Sequence, residues 1–493
     1  MIGFLEEAER LIRINSVSQD GNEEIAIHLQ SLMRRMGFKT SLQEVNHSIE
    51  GVSKRQFNVI GILGDPLVDS KTRKGFLLNA HTDTVSPGIR AYWTETGGDP
   101  FQAVIKEDRI YGLGTADVKL DFLCKLKACE RYVDRKLRMP VYLVGSCGEE
   151  IGMLGSKFLI KSKILNPRFV LVGEPSELAV IAAHKAYAVY RLSIGFNQLD
   201  RDAKGFNTRL GMKCAGKSAH GSYPHLGDNA LLRMLSTIRR IREANFQIRL
   251  SRLGGGDSVN KVPDSAFVEF FLSSSSFDDF KRFYREKLAT DPDSGKIQIE
   301  FGGIGESGVC FLPGDILEAI DAMRDAVESL REEALDGTDE SFNPSASTMN
   351  LGKITHAPGS IELFWDFRLL PAVDAEGFDA KLKAAIAAVN ARFPNMIMKA
   401  ARQRFTPALN MREDSELVQA ALDAQRIVGI KASLDKKATS TEAAQYFAAG
   451  YDAIVFGPGK SMGNSHSPNE HNLVEHLDRA VHFYDRMIER FCL

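Results

Sequence analysis

"GFLLNAHTDTV", residues 75–85, is the stretch whose reading decides the fold. Phe76-Leu77-Leu78 is an unbroken apolar run, the pattern of a strand covered on both faces. It stops abruptly at His81 and Asp83, two ionisable groups one residue apart. Other segments share that form. "PVYLVGS" (140–146) runs into Glu149-Glu150, and "RFVLVGE" (168–174) ends on Glu174. "DAIVFGPG" (452–459) ends on a glycine turn, and "FNVIGIL" (57–63) reads as a further strand. Between them, 119–133 reads as a helix, and 471–491 as a long terminal one. Strands alternating with helices predict an α/β domain on a mostly parallel, mixed sheet. Ligands of such sheets gather outside the carboxyl ends of the strands. His81, Glu149 and Glu174 therefore belong to one edge.

The chain has 493 residues, which predicts two to four domains. Its net charge of -2 excludes the basic excess of a nucleic-acid binder. The N-terminus carries Glu6, Glu7 and Glu9 among its apolar residues and reads as an amphipathic helix, not a signal peptide. Eighteen consecutive apolar residues occur nowhere, so no membrane span is expected. The six cysteines are scattered without a CxxC pair, which fits reduced thiols and a cytoplasmic location.

Residues 186–404 follow a different rhythm of strand, helix, strand, strand, helix and strand, and much of it occurs twice. Segment 223–241 resembles 310–327, and 253–272 resembles 351–370. Phe277-Asp278 and Phe378-Asp379 then open comparable helices. The expectation is a catalytic domain from 1–185 and 405–493, interrupted by an inserted α+β lid domain with duplicated, ferredoxin-like halves.

The ionisable groups at strand ends are His81, Asp83, Asp117, Glu149, Glu150, Glu174 and His466. Taken singly each has an ordinary role. Asp117, for instance, would cap the helix that follows it. Together they place several like charges on one edge, which repel unless a cation neutralises them. Two histidines and several carboxylates suit zinc, with cobalt or manganese as substitutes, and exceed what one tetrahedral ion needs. They fit two ions that share a carboxylate. "GLGTAD" (112–117) is no dinucleotide fingerprint, because Asp117 stands where Gly or Ala is required.

These segments resemble the M20 family of metallopeptidases and deacylases across essentially the whole chain. The ordered HxD, DxK, EE, EP and HxxxE segments carry that resemblance. It implies that His81 ligates one metal and Asp117 bridges both, with Glu150 and His466 on one ion and Glu174 on the other. Asp83 would fix the His81 tautomer through its ring N–H, and Glu149 would be the general base. In "GKSAHGSYPHLGDNA" (216–230) His220 would reach the substrate and stabilise the oxyanion. Arg368 matches the family's D-x-R-x-x-P segment and would hold a substrate carboxylate; Asn260 would contact substrate. Gly457 and Gly459 in "FGPGK" would line the pocket with backbone N–H groups. Gly112-Leu113-Gly114 and Leu120 depart from the family's usual residues without removing a ligand.

Thr441-Glu442-Ala443 resembles the acetylornithine deacetylase branch, where Glu442 would meet a substrate ammonium group. The implied activity is removal of an acyl group from an N-acyl amino acid by a di-zinc centre. A dipeptidase, a carboxypeptidase or a succinyl-diaminopimelate desuccinylase is the near alternative, and an inactive metal-binding scaffold a remote one. The implied partner is a small molecule with a free carboxylate, neither nucleic acid nor membrane. A lid duplicated within one chain implies a monomer, against the homodimers that other members form through their lids.

Overall fold

The structure is a computed structural model describing residues 2–47, 55–64, 74–197, 205–304 and 309–493. The chain forms two compact units, Met1–His184 with Leu409–Leu493, and Lys185–Ala408. The first stretch supplies α1 (Ile2–Arg13), α2 (Glu23–Arg35), β1 (Lys39–Val45), β2 (Gln56–Leu63) and β3 (Gly75–His81). Next come β4 (Val104–Lys106), β5 (Arg109–Tyr111), α3 (Lys119–Cys129) and β6 (Val141–Ser146), then α4 (Leu154–Ser162), β7 (Pro167–Val172) and β8 (Val180–His184). The helix expected over 119–133 stops at Cys129 and tightens into a 3-10 turn at Glu130–Tyr132. There the Tyr132 hydroxyl donates to the Asp485 backbone carbonyl and carboxylate, which draws the chain off the helical path.

The second unit is one eight-stranded antiparallel sheet with helices packed on it. Its elements are β9 (Ala186–Phe196), β10 (Phe206–Ala215), α5 (Ala230–Glu243), β11 (Arg249–Gly255), β12 (Ser265–Ser273) and α6 (Phe277–Phe283). They continue with β13 (Ile297–Ile304), α7 (Ile316–Ala334), β14 (Thr348–Ala357), β15 (Ser360–Leu369), α8 (Ala375–Asn390) and β16 (Met396–Thr406). Two βαββαβ halves are visible. One is β10-α5-β11-β12-α6-β13. The other is β9 followed by α7-β14-β15-α8-β16. The sheet order β13-β10-β12-β11-β14-β15-β9-β16 places the second half as the mirror order of the first, joined where β11 meets β14 at Gly255 and Ile354. The halves are nested, since the second half's first strand precedes the whole of the first. Alternation along β10 and β15 turns Leu210, Met212, Leu363, Trp365 and Phe367 toward one apolar core beneath the helices.

The chain returns to the first unit with β17 (Leu409–Asn410), α9 (Glu416–Ile427), β18 (Leu434–Lys437) and α10 (Ala443–Ala448), then β19 (Asp452–Val455), β20 (His471–Leu473) and α11 (Val474–Cys492). The large sheet runs β1-β2-β6-β3-β7-β19-β8-β17, with β18 also on β8. Its centre, β6-β3-β7-β19, is parallel, and antiparallel pairs flank it. All of β3 and β6 is buried, as continuous apolar runs require. Burying each Phe or Leu there contributes about 1.5–3 kcal/mol. On α11, Leu477, Ala480, Phe483, Tyr484, Met487, Ile488 and Phe491 recur at helical spacing and face inward, with Phe491 against Phe76 and Phe169. In register, His81 pairs with Ser146, so β3 and β6 end level, while β7 ends at Val172 opposite Asn79, two residues earlier, with Glu174 two residues beyond its end. No helix among the described residues is long and apolar enough to cross a membrane. The six cysteines are unpaired thiols.

Candidate functional site

The neighbouring ends of β3, β6 and β7 deliver His81, Glu149-Glu150 and Glu174 to one edge of the large sheet. Asp117 arrives on the loop ahead of α3, and His466 on the loop ahead of β20. Donor atoms of Asp117, Glu150 and His466 lie within 4.8 Å of one another, as do those of His81, Glu149 and Glu150. His81 Nε2 lies 3.0 Å from Asp117 Oδ1, and His466 Nε2 lies 3.2 Å from Asp117 Oδ2 and 2.8 Å from Glu150 Oε1. Asp117 thus touches both histidines. Glu174 belongs to neither trio, although its charge and that of Asp117 act on each other.

Electrostatics test whether these residues suit metal ions. Burial and the carboxylates of Glu150 and Glu174 push the Glu149 carboxyl far up. Burial and Asp117 raise Glu174 to about 8. Burial works against a charge on His81, yet Asp117, Asp83 and Glu149 hold its imidazole well above the usual range. Partial burial likewise opposes a charge on His466, which Glu150 and Asp117 nonetheless hold at about 12. Two like charges 4 Å apart repel by roughly 4 kcal/mol at an effective dielectric near 20. Several such pairs together rival the 5–15 kcal/mol or so that stabilises a whole domain. Protons relieve that repulsion in the bare site, and divalent cations would replace them. The donor set of imidazoles and carboxylates fits zinc or a similar ion.

Each side chain is fixed from behind. The His81 Nδ1 partner is the backbone carbonyl of Asp83 at 3.0 Å, rather than the carboxylate expected from the sequence, whose Oδ1 is 3.7 Å away. That carboxylate instead accepts from the Ser18 hydroxyl at 2.6 Å and from the N–H groups of Glu149 at 3.1 Å and Glu150 at 3.4 Å. It orients the Glu-Glu pair. Glu470 is buried, and it accepts from the N–H groups of Gly114, Ala116 and Asp117 at 3.0, 2.8 and 2.9 Å. It thereby shapes the loop that carries Asp117. The HxxxE spacing marked Glu470 without revealing this role, and nothing in the sequence marked Ser18. Lys437 donates to Pro175 O at 2.7 Å beside Glu174.

Two expectations meet a different geometry. Glu442 is fully buried, accepting from Asn79 and Ser146 at 2.7 Å each, with Oε1 lacking a hydrogen-bond partner. It braces the strand ends from below instead of offering a surface to an ammonium group. Gly457 N–H donates to Ser176 Oγ at 3.0 Å, so it is not turned toward a ligand. A Cβ at Gly457 would lie 2.6 Å from Glu174 O, and one at Gly459, where φ is +89°, would meet Ala116 at 3.0 Å. The glycine turn therefore fits against the backbone that carries Glu174 and Asp117.

The second unit gathers the other predicted residues. Exposed His220 receives the Ser222 N–H on Nδ1 at 3.1 Å. Gly221 N–H donates to Asn260 O at 2.7 Å, and the Asn260 side chain accepts from Ser258. A Cβ at Gly221 would lie 2.4 Å from Asp366 Oδ2. Arg368 is buried, bidentate on Asp366 at 2.8 and 3.0 Å, with its guanidinium 3.7 Å above the Tyr187 ring. His220, Asn260 and Arg368 are thus neighbours.

The family described as "Peptidase family M20/M25/M40" matches residues 77–490. The chain is 24% identical over 496 aligned residues to acetylornithine deacetylase of Proteus mirabilis, covering 99% of this chain and 97% of that protein. It is 24% identical to the enzyme of the same name from Buchnera aphidicola, where the match covers 52% of this chain and 64%, under two thirds, of that protein's length. Among solved structures, aminoacylhistidine dipeptidase from Vibrio alginolyticus superposes with a TM-score of 0.64 at 18% identity, covering 98% and 95% of the two chains. The metallo-carboxypeptidase Sso-CP2 from Sulfolobus solfataricus gives 0.59 at 16%, covering 99% of each. These two likenesses concern the fold alone.

Proposed function

The chain belongs to peptidase family M20/M25/M40, and from that premise we propose that it is a di-zinc deacylase removing an acyl group from an N-acyl amino acid. The observation that carries this reading is the pair of overlapping trios, Asp117-Glu150-His466 and His81-Glu149-Glu150. Asp117, Glu150 and His466 would hold one ion; His81, Asp117 and Glu174 would hold the other. Ions there would lower the pKa of a water and polarise the amide carbonyl.

The chain's own chemistry centres on Glu149. Burial and the neighbouring carboxylates raise its affinity for a proton. Once cations offset that repulsion and leave it ionised, it is suited to take a proton from water and deliver it to the leaving amine nitrogen. Asp83, through the Glu149 N–H, keeps that side chain from wandering. His220 is assigned to the oxyanion, and Asn260 and Arg368 to substrate binding, on the family resemblance. The whole-chain match to acetylornithine deacetylase supports deacylation over peptide cleavage.

The test is a hydrolysis panel of N-acetylornithine, N-succinyl-diaminopimelate, other N-acyl amino acids and simple dipeptides, with zinc or cobalt. Glu149→Gln should retain metal and lose about 10²–10⁴-fold in kcat. Faster cleavage of dipeptides would move the reading to a dipeptidase. Equal inertness of wild type and variant toward the whole panel would overturn it.

A further inference from the structure

We propose that Arg404 is a second carboxylate-binding arm beside Arg368, so that the substrate's carboxylate is held by two guanidinium groups on the face of the eight-stranded sheet turned away from its helices. The inference rests on the amide-hydrolase reading above and adds a specificity residue to it.

The strand register places Arg404. Along β16, Arg402 pairs with Tyr190 and Arg404 with Val189, so Gln403 is an extra residue, a bulge. Without it, Arg402 and Arg404 would share a face. With it, Arg402 turns to the helices, bonding Glu376 at 2.9 Å, while Arg404 shares the opposite face with Val189 and Tyr187. Bulges re-aim side chains in this way beside functional sites. On that face Asp366 lies across β9 from Arg404, since both pair with Val189, and Arg368 is one row further along, paired with Tyr187.

Charge then singles out Arg404. Arg368 has a bidentate partner in Asp366. The guanidinium of Arg404 lies 5.2 Å from the centre of the same Tyr187 ring, and its buried Nε has no hydrogen-bond partner. No carboxylate among the described residues lies within ion-pairing distance of it. Burial pushes the Asp366 carboxyl up, while Arg368 and Arg404 both pull it down, so one carboxylate serves two guanidinium groups. A half-buried cation without a counter-ion is costly, and a carboxylate on the ligand would complete the pair. Arg368, held by Asp366 and Tyr187, supplies a fixed edge; Arg404 supplies the uncompensated charge.

The experiment uses the full-length, metal-free protein and asks which arginines phenylglyoxal modifies, read by peptide mass spectrometry. The probes are N-acetylglycine and N-acetylglycinamide, which differ only in the carboxylate. N-acetylglycine should slow modification of Arg404 several-fold and the amide should not, with exposed Arg412 unaffected by either. In the metal-loaded enzyme, Arg404→Gln should raise KM for N-acyl amino acids about 10- to 100-fold with a far smaller change in kcat, and Arg404→Lys should recover part of that loss. Equal modification of Arg404 with and without N-acetylglycine would overturn the proposal. So would a fall in kcat alone. Protection without any hydrolysis would leave the anion site standing and remove the deacylase reading instead.

Discussion

Replacing Glu470 by Gln separates stability from metal affinity. Glu470 accepts three backbone N–H groups, with Oε1 serving Ala116 and Asp117 and Oε2 serving Gly114. Glutamine keeps one acceptor and turns its NH2 against the third donor. One charge-assisted hydrogen bond is lost and two become neutral. Even with those three bonds in place, burial and the nearby Asp117 hold the Glu470 carboxyl at about 7, so ionising it in the bare fold carries a net cost of roughly 3 kcal/mol relative to the unfolded chain. Glutamine carries no such cost. The metal-free variant should therefore unfold at a temperature equal to or slightly above that of wild type. With cations on Asp117 the repulsion disappears, and only the lost loop contacts remain. Metal affinity should fall about 10- to 100-fold, as for other residues that orient a ligand from behind. Competition with a chromophoric chelator measures the affinity, and calorimetry the unfolding. An affinity within twofold of wild type, in a folded variant, would refute the role assigned to Glu470.

Two further outcomes follow from the second unit. Burial and neighbouring Arg368 hold the Lys185 ammonium down at about 8 against 10.5. Below pH 8 folded and unfolded chains both carry that proton, and the cost of burying the charge is fully present. Between pH 8 and 10.5 only the unfolded chain carries it, so stability should rise with pH, by at most about 3 kcal/mol. Lys185→Met should flatten that rise in urea titrations, and an unchanged slope would count against it. Light scattering should report a single chain, since one chain supplies both βαββαβ halves. An obligate dimer whose activity returns on mixing Glu149 and His220 variants would argue the opposite.

Much of this was legible in the sequence because it rests on local pattern. The apolar runs of β3, β6 and β7 marked the central strands, and their abrupt ends marked His81, Glu149 and Glu174. What stayed hidden depends on contacts between segments far apart in the chain. Ser18 reaches Asp83 across 65 residues, and Glu470 reaches Asp117 across 353. No spacing rule encodes such pairs. Glu442 is hidden in the same way: the resemblance of its segment offers it to a substrate ammonium group or a helix cap, and only the distant Asn79 and Ser146, which donate to it in the fold, reveal it as buried. Nothing in the sequence singles out Arg404, because a bulge leaves no mark in a single sequence.

The duplicated unit shows how far two copies can diverge while keeping one fold. In the first half, β11 and β12 are joined by residues 256–264, which carry Asn260 and support the His220 loop through Gly221 N–H and the His220–Lys261 bridge. In the second half the corresponding hairpin is cut to Pro358-Gly359, with Gly359 at φ +79° and Ala357 paired to Ser360. A two-residue turn has no room for a residue in the role of Asn260. Conversely, Asp366, Arg368 and Arg404 stand on β15 and β16, and on the face turned away from the helices the first half's strand β12 offers Phe267, Glu269 and Phe271 instead. The loop that presents a histidine and an asparagine and the strands that present the arginines therefore belong to different halves. Neither half holds both sets, so the recognition chemistry assigned to this unit depends on the pairing of β11 with β14.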